Sequence, residues 1–257
     1  MHSWKLILVL CSGLFYQASF AQEILELRYC VLFDTYQEQQ VFHDWQQGKG
    51  VDLLSMLSAY DPHLDSITFS SFSDKLQKEL LKLQRKQTQV NDTLWLIKRL
   101  FYQLHQKFLK RYQAQASFAD LIRKGEYNCL SGTMLYAYVL EYLNIPYMIY
   151  ETPQHVFLRV FLEEETLVFE ATDPMHGVHT QQKMLFKGEQ AVLWISLIGL
   201  QYFNVGIKYY EEGQYLNALR SFRKAQLLYP ASERIRKHLA YTFNVYEQSD
   251  WLSLRKN

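Results

Sequence analysis

The run Gly125-Glu126-Tyr127-Asn128-Cys129-Leu130-Ser131-Gly132 is followed by His155 and then by Phe169-Glu170-Ala171-Thr172-Asp173-Pro174. That order of residue types suits thiol chemistry. The nucleophile is the thiolate, which a helix N-terminus favours through its dipole and free N–H groups, and an imidazole takes up the proton. Asn128 is a good N-cap, so Cys129 is expected in the first turn of a helix. His155 on a following strand would supply the imidazole. A carboxylate on the next strand would orient the ring by accepting from its second nitrogen. Glu170 fits that place, with Asp173 as the alternative acid. The Cys129 N–H can serve an oxyanion hole, flanked by Asn128 and Gln154 as supporting candidates. Tyr127 or a side chain of the N-terminal region is also open as a second donor.

Each residue has a plainer reading beside this one. Cys129 could be a buried apolar side chain or half of a disulfide with Cys30, His155 a strand histidine, Glu170 a strand-end carboxylate, and Asp173-Pro174 a turn. His176 and His179 form an H-x-x-H pair without a third ligand, so no metal is expected, nor any cofactor.

The elements that must position these residues follow from periodicity. Glu23 to about Tyr112 reads as helical, most clearly after Asn91 and Asp92, where Ile97, Phe101, Leu104 and Phe108 share a face. Ser117 and Asp120 open a short helix, Phe118 to Lys124, that Gly125 can end. The helix after Asn128 places Cys129, Gly132, Tyr136, Val139, Leu140 and Leu143 on one face and stops at Asn144 and Pro146. Strand residues then take over at Tyr147 to Tyr150, His155 to Leu162 and Leu167 to Phe169, with Glu163 to Glu165 as a solvated hairpin turn. That predicts an antiparallel sheet behind a helix. From about Glu189 to Leu200 the helical pattern resumes.

Towards the C-terminus, Tyr202, Gly206, Tyr209, Gly213, Tyr215, Ala218, Phe222, Ala225 and Pro230 stand at the spacings of a tetratricopeptide (TPR) unit, about residues 202–232. Glu233 to Tyr246 reads as a capping helix. One repeat cannot bury its own face, since about three are needed for independent stability, so this segment must lean on a neighbour. It is expected to be either a structural hairpin or an arm for a protein partner.

The Cys-His-acid order over roughly Phe118 to His179 resembles the transglutaminase-like, papain-related superfamily, in which a helix-borne Cys is followed by a strand His and a strand Asp. Where members commonly carry Asp-Ala-Thr or Asp-Pro-Thr, this chain has Glu170-Ala171-Thr172. The resemblance implies an α+β fold: a helical N-terminal region (22–116), a transglutaminase-like core of helix on small antiparallel sheet (117–190), and a C-terminal helical TPR segment (191–257). It also implies Cys129 as nucleophile, His155 as base and Glu170 as orienting acid, acting on a protein or peptide amide by hydrolysis or transamidation. Members that have lost catalysis leave a partner-binding scaffold as the alternative.

Composition sets the outer limits. The chain has 257 residues, 49% hydrophobic and 16% aromatic, with five Pro and ten Gly, which supports a large packed core and excludes disorder. Three cysteines cannot build a disulfide scaffold, and no Cys-x-x-Cys occurs to suggest a redox protein. Lys5, the apolar run to Phe15 and the small residues Ser19 and Ala21 read as an export signal cleaved after Ala21. Polar interruptions argue against a membrane anchor there, and Leu10 is too bulky before a lipid-modified Cys11. Removing residues 1–21 takes out Lys5 and no acid, so a formal charge of +1 becomes neutral. Such a balance offers nothing to nucleic acid. The expectation is an exported, periplasmic or extracellular protein with no integral membrane segment after cleavage.

Overall fold

Side-chain caps decide where most helices begin. The computed structural model describes residues 31–61, 63–90, 92–180 and 187–254. The export segment, Cys11, Cys30 and Asn91 lie outside the described residues. Helix α1 (Tyr36–Gln46) starts at Thr35, whose hydroxyl accepts the Glu38 N–H, and Asp52, Asp65 and Asp92 cap α2 (Leu53–Ser58), α3 (Ser66–Gln87) and α4 (Thr93–Phe108) in the same way. A short parallel pair, β1 (Arg111–Tyr112) and β2 (Glu126–Tyr127), brackets α5 (Phe118–Lys124), which opens on a Ser117/Asp120 capping box and closes on Gly125.

Helix α6 (Cys129–Tyr142) follows directly. It ends in a Schellman motif, with Asn144 at φ 53° and the Ile145 N–H bonded to the Leu140 carbonyl at 2.9 Å. Strands β3 (Tyr147–Glu151), β4 (Val156–Phe161), β5 (Thr166–Phe169), β6 (Val178–Thr180) and β7 (Gln190–Val192) form one antiparallel sheet in the order β6-β5-β4-β3-β7. The two outer strands were not expected from the sequence. β7 replaces the first residues of the anticipated helix after Glu189, because Ala191 and Val192 complete the edge of β3. Helix α7 runs over Trp194–Glu211, α8 over Tyr215–Leu228 and α9 over Glu233–Leu254. The chain is therefore mixed α+β.

The core lies where α6 is enclosed. Tyr136 stacks on Phe101 of α4 at 4.9 Å, and Phe169 of β5 meets both rings edge-on. The sequence suggested one apolar face for α6, yet ten of its residues are buried around the helix, which is how a helix between a sheet and other helices is covered. Thr133 ties its polar side in by donating to the Val156 carbonyl of β4 at 3.1 Å.

The chain clusters into two units. Asp34–Asn204 holds α1 to α6, both sheets and the first part of α7, so the N-terminal helices belong to the same unit as the large sheet. Tyr202, read from spacing as the first repeat position, is buried in this unit, with its hydroxyl 2.6 Å from Glu38. The second unit holds the chain from Val205 on, together with residues 31–33. Within it Gly206 of α7 lies under the Phe222 ring of α8, where a Cβ would approach to 2.5 Å. Gly213 makes the left-handed turn between those helices, and α9 packs on α8 and runs on past the expected Tyr246 to Leu254. Among the described residues, no helix is long and apolar enough to cross a membrane.

Candidate active site

Cys129 is the first residue of α6 and is half-exposed, with a free thiol. The Asn128 side-chain oxygen accepts the Ser131 N–H at 2.9 Å, the Ser131 hydroxyl accepts the Asn128 N–H at 2.9 Å, and the Asn128 amide donates to the Ala114 carbonyl at 3.0 Å. Both ends of the Asn128 side chain thus hold the start of the helix. The Cys129 N–H is among the first-turn groups that a helix leaves without an internal acceptor.

His155 closes the loop between β3 and β4, where its carbonyl accepts the Thr152 N–H at 2.8 Å. Glu170 stands one residue past β5. Leu158 pairs with Phe169, so the neighbouring strands bring His155 and Glu170 to the same end of the sheet. The His155 Nε2 lies 2.5 Å from a Glu170 carboxylate oxygen. The other carboxylate oxygen accepts the Thr172 N–H at 2.9 Å and also the Thr172 hydroxyl. Glu170 is buried, which alone would raise its carboxyl, but the bonds from His155 and Thr172 hold it below the usual carboxylate range.

With Nε2 engaged by Glu170, Nδ1 is the ring nitrogen left to meet the thiol. Burial would push the His155 imidazole down. Its interactions with Cys129 and with the Glu170 carboxylate outweigh it and raise the imidazole to about 10. Phe157 stacks 6.1 Å from the His155 ring and fixes its plane.

Close packing sets the spacing between α6 and the acid. A Cβ on Gly132 would stand 2.7 Å from the Ala171 Cβ, so the first turn of α6 lies directly against the segment that carries Glu170. On the other side His105, buried in α4, lies 3.1 Å from the Tyr127 hydroxyl and 3.3 Å from that of Tyr136. Burial lowers the His105 imidazole to about 4, against a raising pull from Asp173, so the ring is neutral at neutral pH. Neither His105 nor Thr172 was singled out in the sequence. The Thr beside the acid was a visible signal, whereas nothing local marks His105.

Two sequence candidates are engaged elsewhere, Asp173 in a turn and Tyr127 on His105. Asp173 does not reach His155: its carboxylate accepts the N–H groups of Met175 and His176 at 3.1 and 2.9 Å and forms a turn. The Tyr127 hydroxyl is buried on His105, away from an oxyanion position. Gln154 is exposed on the hairpin loop, and its side chain makes no hydrogen bond among the described residues. His179 lies in β6 opposite Val168, while His176 belongs to the Asp173 turn. Among the described residues no group of three metal-ligating side chains occurs.

Comparison with protein-family models, with curated proteins and with solved structures finds no match.

Proposed function

We propose that this chain is an exported, cysteine-dependent acyl-transfer enzyme of transglutaminase-like type. The observation that carries the reading is the bond of the His155 Nε2 to Glu170, with Cys129 at the start of α6 close enough to act on the same imidazole. A histidine raised to about 10 beside a cysteine supports a ring that holds a proton for the leaving group.

The Cys129 sulfur attacks the carbonyl carbon of a protein or peptide amide, forming a carbon–sulfur bond and an oxyanion to which the Cys129 N–H can donate. His155 then donates its proton to the departing amine as the carbon–nitrogen bond breaks. Water, or a second amine, gives its proton to His155, attacks the thioester and releases Cys129. Glu170 remains ionised and holds the ring. The helices after Val205 would serve as a tetratricopeptide-type arm for a protein partner.

The test is the pH profile of iodoacetamide alkylation at Cys129 in the full chain, followed by mass analysis. Fast alkylation that persists in mildly acidic solution, and that falls at least about tenfold in His155→Ala, is the expected result. Sluggish alkylation until a reductant opens a Cys30–Cys129 bridge would overturn the reading and leave a non-catalytic scaffold.

A further inference from the structure

Away from the thiol, a cleft of about 500 Å³ lies between α3 and α4, and Lys82, Lys86, Arg99 and Lys107 all line it. Glu79, buried beside it, bonds Lys82 at 2.9 Å, Gln103 at 2.7 Å, and Lys107. That one carboxylate meets two of the four cations. Lys86 and Arg99 instead approach the ring of Trp95, at 5.8 and 5.2 Å, and neither has a carboxylate partner among the described residues.

Bringing these cations together is unfavourable in the empty protein. Lys82 and Lys86 are like charges four residues apart on one helix. Nor does a general excess of base account for it, since the whole chain carries only +1. The volume suits a small anionic group rather than a helix. The lining adds neutral donors, with the Gln106 amide unbonded among the described residues. Several cations and an amide around one space match an ion with many acceptor oxygens and more than one negative charge, as a phosphate has, better than a single carboxylate.

We propose that this cleft binds a phosphate-bearing ligand, with Lys86 and Arg99 as its principal contacts. The site is independent of the Cys129 chemistry. Tyr102, on its rim, donates to the Met175 carbonyl at 3.2 Å in the loop that follows Glu170.

The source of the phosphate, soluble or lipid, is separated by two measurements on the full chain. Calorimetric titration with inorganic pyrophosphate reports a soluble ligand, and co-sedimentation with phosphatidylglycerol against phosphatidylcholine vesicles reports a headgroup. Lys86→Gln/Arg99→Gln is the test variant, and Lys78→Gln/Lys98→Gln removes the same charge from exposed positions of the same helices outside the cleft. The proposal expects at least one assay to show binding that falls tenfold or more in the test variant and less than threefold in the control. Equal loss in both variants, no binding in either assay, or tighter binding of a polyglutamate peptide than of pyrophosphate would overturn it. Circular dichroism of both variants checks that the fold is kept.

Discussion

Glu170 is longer by one methylene than the aspartate the resemblance implies, and Thr172 takes up the difference by fixing one carboxylate oxygen while the other meets His155. In Glu170→Gln the amide oxygen can still accept from Thr172, but the charge is gone. The His155 imidazole, followed by NMR, is then expected to titrate well below about 10, and Cys129 alkylation to slow by about tenfold or more. The two histidines also give opposite pH dependences of stability. His155 is raised above its ordinary 6.5, so its contribution is complete below about 6.5 and is lost as the pH climbs through about 10. His105 is lowered from 6.5 to about 4, so the unfolded chain binds the extra proton first and stability drops as the pH falls through that interval. Urea titrations at stepped pH should therefore show stability falling on both sides of neutrality. His105→Phe should flatten the acid side.

The contact between α6 and the Ala171 segment is the element-scale counterpart of that geometry. Gly132→Ala is expected to cost about 1–3 kcal/mol in urea unfolding, because a new Cβ meets Ala171 at 2.7 Å, and to slow Cys129 alkylation as the helix start moves from His155. Pairing it with Ala171→Gly should recover both, and a double-mutant cycle measures the coupling. The caps make a milder case: Asn128→Ala loses a cap worth about 1 kcal/mol and the bond to Ala114. Much of this level was legible in the sequence. Ser117, Asp120 and Gly125 marked α5 at both ends because their chemistry is local, and the strand residues on either side of Glu163 to Glu165 marked β4 and β5. The strands β6 and β7 were not legible. They are three residues long and exist only as edges added to β5 and β3, so no periodicity of their own announces them. The acid was legible as a preference, since the triplet Glu170-Ala171-Thr172 favoured Glu170 over Asp173, and the register of β4 with β5 brings Glu170 to His155.

Across the whole molecule, the first unit is closed by a contact between its two extremities. The Tyr202 hydroxyl donates to Glu38, while the second Glu38 oxygen accepts the Asp34 N–H at 2.7 Å. Phe42 and Tyr60 pack edge-on against the Tyr202 ring. Tyr202→Phe keeps the ring contacts and removes one bond from a buried carboxylate, so a loss of about 1–3 kcal/mol is expected in thermal or urea unfolding. Cys129 alkylation should remain close to that of the unmodified chain below the transition. Spacing alone assigned Tyr202 to the helical repeat, because the small and aromatic positions of a helix pair look the same whichever body they pack into.

That closure also sets a clock. Glu38 and Tyr202 are separated by 164 positions, and synthesis proceeds at roughly 5–20 residues per second, so α1 waits on the order of 10–30 s for the residue that completes its burial. Until Tyr202 leaves the ribosome, the apolar side of α1 at Phe42 has no Tyr202 ring to rest on. The first unit can reach its final packing only after Tyr202, two residues before its own limit at Asn204, has been made.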